Sequence, residues 1–237
     1  MSDLRLTILS DSHELHRDLD SLPGGDILIH CGDFSFFSKS IRAIEDFASW
    51  FAAQPYRGKL LTFGNHECLF EAEPKRRSIF ERQGISVLNN EGVEISGLNI
   101  WASPVTPLYG GAFGLSSPRD REQHWAKIPD DTDILVTHGP PHGILDCIPG
   151  QTEHQGDPEL LAAVKQVQPL LHVFGHVHGA YGIVEQDGTS YINAALLGMS
   201  GGLEHPPVHM RIPRRERSLC SDDDKRQPST LKPNRLL

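Results

Sequence analysis

The chain has 237 residues and a formal charge of −9 with its 13 histidines neutral, which argues against a broad basic surface for nucleic acid. A composition of 38% hydrophobic and 22% charged residues is that of a soluble globular protein long enough to bury a large core. No segment approaches the roughly 20 apolar residues of a membrane span, MSDLRLTILSDSHE lacks a secretory apolar region, and Cys31, Cys68, Cys147 and Cys220 show no CxxC spacing, so a cytoplasmic setting without a membrane partner is expected.

In chain order, LRLTILS and DILIHCG read as strands. Between Ser38 and Gln54, the spacing of Ile41, Ile44, Phe47, Ala48 and Phe51 predicts a helix capped by Ser38 or Ser40. KLLTFGN is a third strand, followed by a polar helical segment up to Gly84. ISVLNNEGVEISGLNIWAS alternates, and turn signals at Asn90-Glu91-Gly92 and Ser96-Gly97 predict short antiparallel strands. Residues 104–118, PVTPLYGGAFGLSSP, form a Gly/Pro-rich loop with two readings: a cover over a crevice, with Tyr109 or Phe113 as a base-stacking ring, or a packed surface loop. DILVTHG and LLHVFGH are strands with a helix from Pro158 to Val167 between them. GIVEQDGTSYINA is a hairpin turning at Asp187-Gly188, and PPVHMRI a last strand. The alternation predicts one α/β domain over residues 1–212. Residues 213–237 mix both charges with prolines and read as a mobile polar tail.

Five of these strands end in residues able to bind metals: LTILSDSH, DILIHCGDF, LLTFGNHE, DILVTHG and HVFGHVH. In open α/β sheets, ligands bind beyond the carboxyl ends of the strands. The five ends could therefore place Asp11, His13, Asp33, Asn65, His138, His176 and His178 around one crevice. In Asp11-x-His13 and His176-x-His178, an i, i+2 spacing on extended backbone would aim both side chains the same way. Each fragment alone is compatible with a capped strand end or a core histidine. All seven at strand ends in one chain are not explained by turn chemistry.

The series DxH, GD, GNHE, HG and GHxH, in this order, resembles the calcineurin-like metallophosphoesterase superfamily. THGPP, HVFGHVHGAYG and YINAA are similar to its metallophosphoesterase-domain-containing subgroup of animals and bacteria, and the match runs from Leu4 to Ile212. The resemblance implies a four-layer α/β/β/α sandwich of two mixed sheets flanked by helices. It implies two divalent ions, one on Asp11, His13 and His178, the other on Asn65, His138 and His176, with Asp33 bridging. An oxygen and nitrogen donor set without thiolate suits Mn, the ion expected, or Fe, Zn or Ni. Such a pair would make a positive focus for phosphate in an acidic protein.

That resemblance further implies in-line attack on phosphorus by a hydroxide shared between the ions. His66 is the position the family uses as phosphate contact or general acid; the plainer reading is a histidine that only hydrogen-bonds backbone. Glu67 reads as an exposed carboxylate at a helix start, with a supporting role at the site as the alternative. His30, His142, His154 and His172 have no assigned chemistry, although His142 in HGPPHG is near enough to the site to support it.

Protein Ser/Thr phosphatases of the superfamily carry GDxVDRG, where the second Asp orients the catalytic histidine and the Arg grips phosphate. Here Phe36 and Phe37 stand at those two places. This argues against phosphoprotein substrates and for small phosphodiesters, including cyclic nucleotides, without a stable nucleic-acid partner. A phosphomonoesterase would use the same dimetal core. A non-catalytic scaffold, like the retromer subunit of this fold, is opposed by seven intact ligand positions and His66. A β-lactamase-type metallohydrolase would need HxHxDH, which is absent.

Overall fold

The structure is a computed structural model that describes residues 3–107 and 109–213. Apart from its first residue, the tail expected over residues 213–237 lies outside the described residues. The chain begins with β1 (Leu4–Leu9), β2 (Gly25–His30), α1 (Ile41–Ala53) and β3 (Tyr56–Leu61). It continues through α2 (Cys68–Ala72), α3 (Ser78–Glu81), β4 (Ser86–Val87), β5 (Glu91–Ile95), β6 (Leu98–Ser103) and α4 (Pro118–Trp125). The last elements are β7 (Ile134–Thr137), α5 (Pro158–Val167), β8 (Leu171–Phe174), β9 (Gly182–Gln186), β10 (Thr189–Asn193) and β11 (Val208–Ile212).

Two sheets result, ordered β11-β1-β2-β3-β4 and β5-β6-β7-β8-β10-β9. Their inner strands are parallel; β11 in the first sheet, and β5 and β9 in the second, pair antiparallel at the edges. The sheets face each other across a core of Leu4, Leu6, Ile8, Ile27 and Ile29 against Ile100, Val136 and Val173. Leu9, Leu28 and Leu61 point the other way and pack with Phe47 and Phe51 of α1. Leu135 and Phe174 likewise pack with Trp125 of α4 and Leu160 and Val164 of α5. Strands buried on both faces and covered by helices give the four-layer sandwich, and explain why they read as continuous apolar runs.

Local signals account for most elements. Ser40 Oγ accepts the Ala43 amide at 3.2 Å and starts α1, whose buried face is Ile44, Phe47, Ala48 and Phe51. Asp157 caps α5 through the Glu159 amide at 3.0 Å, with Pro158 in the first turn, where no amide donor is needed.

Two expectations are corrected, and one helix is added. The helical segment up to Gly84 is split into α2, a 3-10 turn at Pro74–Arg77 and α3, because Pro74 cannot donate to a continuing helix. β4 does not join an antiparallel set: it pairs parallel with β3 (Leu60↔Ser86, Leu61↔Val87), and only β5 and β6 form the hairpin. The chain crosses between sheets at residues 88–90, where Asn90 adopts φ +63°. Helix α4, not anticipated from the sequence, starts at Ser117, whose Oγ accepts the Asp120 amide at 3.3 Å, with Pro118 in its first turn. It lacks an apolar stripe, and its buried face is Arg121, His124 and Trp125. Arg121 bonds Asp157 (3.1 Å) and Glu159 (2.9 Å), and Trp125 Nε1 donates to Asp157 at 2.8 Å, so the helix exists through α5.

His172 lies under this layer, fully buried, with Nε2 2.9 Å from Thr137 Oγ1 and Nδ1 without a partner. Burial pushes its pKa down to about 3. An unfolded chain, with an ordinary histidine pKa near 6.5, takes up this proton first as pH falls. Stability from the neutral ring is therefore intact above pH 6.5 and lost progressively down to about pH 3. His172→Gln should flatten the acid limb of a denaturation-versus-pH curve by roughly 1 kcal/mol per pH unit. An unchanged limb in urea titrations would show that His172 does not carry this proton linkage.

Candidate metal centre

The loops after β1, β2, β3, β7 and β8 converge at the carboxyl ends of the strands. They meet there because the sheets are stitched at that end: the Ser10 amide donates to Ala194 O and the Leu196 amide to Ser10 O, each at 2.9 Å. The structure brings all seven predicted residues and His66 to this place. Ligand atoms of Asp11, His13 and His178 lie within 4.8 Å of one another, as do those of Asp33, His138 and His176. His13, Asp33 and His66 form a third such group joining the two.

Each carboxylate is oriented by backbone. Asp11 Oδ2 accepts the His176 amide at 2.9 Å, which leaves Oδ1 buried, unpartnered, and 3.3 Å from His178 Nε2 without a hydrogen bond's geometry. Asp33 Oδ1 accepts the His66 amide at 2.9 Å, so Oδ2 faces the imidazoles, 3.3 Å from His138 Nε2 and 3.8 Å from His13 Nε2. His138 Nδ1 donates to Cys31 O at 3.0 Å and His13 Nδ1 to Ser35 O at 3.2 Å, which turns each Nε2 lone pair inward. Asn65 donates Nδ2 to Gly110 O at 3.3 Å and sets its Oδ1 3.0 Å from the same His138 Nε2.

Acceptor thus faces acceptor. His138 Nε2, Asn65 Oδ1 and Asp33 Oδ2 present lone pairs to a common point, an arrangement that needs a cation among them. A proton meets that need in the metal-free protein: burial would lower the His138 pKa, but Asp33 raises it to about 9. Burial would raise Asp33 and Asp11; His138 and His178 respectively hold them below the usual carboxylate range. Asp11 Oδ1, the second orphaned acceptor, marks the other position. Two divalent cations therefore fit these residues.

The extended-backbone expectation for Asp11-x-His13 and His176-x-His178 is corrected. Asp11, His13, Asp33 and His176 have φ of +54°, +36°, +56° and +66°, and His178 opens a 3-10 turn. The side chains converge because tight left-handed turns aim them, at a backbone cost of about 1–3 kcal/mol each. Gly64 and Gly175 permit this: a Cβ on the first would overlap Asp33 Oδ1 and His138, and on the second Asp11 Oδ2.

Glu67 is the other correction. It starts α2 as expected but is 0% exposed, because it accepts four hydrogen bonds. These come from the amides of Asp33 (2.8 Å), Gly64 (2.8 Å) and Ser35 (3.1 Å) and from Ser35 Oγ (2.8 Å). Burial and the nearby Asp33 push its pKa up, and these four donors oppose that rise. A carboxylate that satisfies other loops' amides has no periodicity signal, and its burial could not be read from the sequence. The loop at 104–118 packs onto the site: Tyr109 stacks flat on His176 (4.3 Å, 19°) and its hydroxyl donates to Gln155 O, while Phe113 stacks on Phe63. Phe37 stacks on His66 (3.9 Å, 26°), whose Nδ1 is buried without a partner. Burial lowers the His66 pKa and favours the neutral ring. His30, fully buried, bonds Ser12 Oγ and the Gly32 amide, and so belongs to the scaffold.

A crevice of about 460 Å³ opens over these residues, lined by His13, Asp33, Phe36, His66, His176 and His178 among others. A groove of about 600 Å³ between α4 and α5 is larger but contains none of the converging histidines or carboxylates.

The chain belongs to the calcineurin-like phosphoesterase family, whose profile matches residues 4–180, and it is a metal-dependent phosphoesterase. It is 33% identical over 233 residues to metallophosphoesterase domain-containing protein 1 of Homo sapiens, across 88% of this chain and 71% of that protein. A UPF0046 protein of Caenorhabditis elegans is 32% identical over 225 residues, covering 90% of this chain and 76% of its own. Among solved structures, TT1561 of Thermus thermophilus shares the fold with a TM-score of 0.60 at 12% identity, over 81% of this chain and 89% of that one. Phosphopantetheinyl hydrolase from Mycobacterium tuberculosis does so with a TM-score of 0.56 at 13% identity, over 94% and 98%. Among the described residues no helix is long and apolar enough to cross a membrane.

Glu67→Gln should leave at least one of four buried donors facing an amide NH2. The expected loss is about 2–3 kcal/mol of stability, together with weaker Mn binding, measured by urea denaturation and calorimetry. Unchanged values in both would show that Glu67 does not hold the loops.

Proposed function

We propose that this chain is a cytoplasmic phosphodiesterase for small phosphodiesters, cyclic nucleotides among them, working with two divalent ions, of which Mn is the one expected. One ion is assigned to Asp11, His13 and His178, the other to Asn65, His138 and His176, with Asp33 between them. Ions so held would polarise phosphoryl oxygens and activate water near neutral pH. The protein's own part is to hold seven donors in fixed directions before substrate arrives. Backbone amides fix the carboxylates, and carbonyl acceptors fix the tautomers of His13 and His138, so little reorganisation is needed during reaction.

The observation that carries the diester reading is the crevice wall. Among the described lining residues there is no Lys or Arg; Lys39 stands outside the lining, over the Phe36 ring. Two metal ions would serve either ester, but a monoester dianion gains more from an added side-chain cation than a diester, which has a single negative charge to balance. His66 supports the same reading. Its Nε2 lies 3.9 Å from Asp33 Oδ2, its Nδ1 meets no carboxylate, and burial keeps it neutral. A neutral imidazole can bond a phosphate oxygen or give a proton to a departing alkoxide, but it is a weak acid for a poor leaving group. Strained cyclic and activated diesters suit it best.

Asp33→Ala should abolish turnover of bis(p-nitrophenyl) phosphate with Mn and reduce the bound metal to at most one ion per chain by metal analysis. Two ions retained would remove the bridging assignment. His66→Ala should keep both ions and slow alkyl diesters more than aryl diesters, roughly 10²-fold against less than tenfold. Equal losses would assign His66 to binding. A preference for p-nitrophenyl phosphate over the diester on the same preparation would replace the reading with a phosphomonoesterase.

A further inference from the structure

Phe36 and Phe37 stand at the mouth of the crevice, 50% and 39% exposed, and neither belongs to a core cluster. Large exposed aromatics at a site of seven polar donors, four of them buried, call for a physical reason. The backbone that presents them is strained: Phe37 and Ser38 have φ of +56° and +49°, conformations that cost a non-glycine residue about 1–3 kcal/mol. The turn is nevertheless pinned. The Ser38 amide donates to Ser35 Oγ at 3.2 Å, Ser38 Oγ donates to His66 O at 3.1 Å, and the Phe36 amide donates to Glu14 Oε1 at 3.1 Å. Ser35 itself is held by Glu67. The rings are thus built into the same bonded frame as the catalytic loops.

The two rings have different surroundings. Phe37 is covered by His66, on which it stacks. Phe36 meets its ring neighbours at steep angles: Phe37 at 80°, His13 at 70° and His66 at 56°. None of them lies flat on it. Lys39 Nζ lies over one face of this ring, 5.3 Å from its centroid, so a ligand ring would use the other. Tyr109 and Phe113, the rings that the sequence suggests for stacking, are occupied by His176 and Phe63. Leu15 and Leu197 line the crevice together with Phe36, so an apolar wall stands beside the metal-binding side chains.

We propose that Phe36 is a specificity-determining residue whose ring receives the organic group of the substrate, and that the site selects phosphoesters carrying a planar aromatic or heteroaromatic group over saturated ones of equal size. The proposal deepens the phosphodiesterase reading and rests on it. A flat ring against Phe36 gains stacking worth about 0.5–1.5 kcal/mol beyond its buried area, a preference of roughly 2- to 12-fold. A saturated ring of the same size gains the area alone.

The test is binding of methyl(phenyl)phosphinate and methyl(cyclohexyl)phosphinate, which carry the single negative charge of a diester, to the Mn-loaded full chain by calorimetry, in the wild type, Phe36→Ala and Phe36→Trp. The wild type should prefer the phenyl compound by roughly 3- to 10-fold. The ratio should fall to about one in Phe36→Ala and return in Phe36→Trp. Equal binding of the two by the wild type, no binding of either, or a ratio that survives Phe36→Ala would overturn the proposal. Diester and monoester turnover on the same preparation tests the functional reading separately, since phosphinate binding requires no hydrolysis.

Discussion

Glu67 accepts the amides of Asp33, Gly64 and Ser35 and the Ser35 hydroxyl, and these four bonds join the loops that follow β2 and β3. Asp33 then accepts the His66 amide, which closes the same frame from the other side. A carboxylate buried this deeply is tolerable only when its lone pairs are satisfied. Here the satisfied groups are backbone, so the carboxylate fixes chain direction. The aim of Asp33 Oδ2, the seat of His66 and the turn that carries Phe36 and Phe37 all depend on it.

The site stores strain, and the rest of the fold holds it there. Asp11, His13, Asp33 and His176 all occupy left-handed backbone, next to glycines whose missing side chains let the carboxylates approach. Such a constellation persists only when the surroundings over-determine it. The two sheets, buried on both faces and stitched at Ser10 to Ala194 and Leu196, provide that rigidity. Rigid scaffolds with functional loops at the strand ends are the general solution in α/β folds.

The histidines divide by their neighbours. His138 and His178 lie beside carboxylates and are raised in pKa despite burial, while at His30 and His172 burial outweighs every other influence and pushes the pKa down to about 3. The first pair faces the places where cations belong; the second is part of the packing. Their residue type is the same, and only position separates a ligand from a core ring.

The elements whose signals are local were legible in the sequence. The face of α1, the Asp157-Pro158 start of α5, the Asp187-Gly188 hairpin and the strands that end in polar residues follow from periodicity and capping. Those strand ends also identified which residues meet. What could not be read was how they meet. β4 chose the first sheet, α4 formed around Arg121 and Trp125 on Asp157, and Glu67 went inside. Each of these depends on a partner distant in the chain, and a lone strand, a polar helix or a carboxylate carries no mark of that partner. By itself the sequence determined the donor set and the order of strands that delivers it. The tertiary structure alone decided the direction of each donor, because direction is set by backbone turns and by hydrogen bonds between loops, which have no one-residue signature.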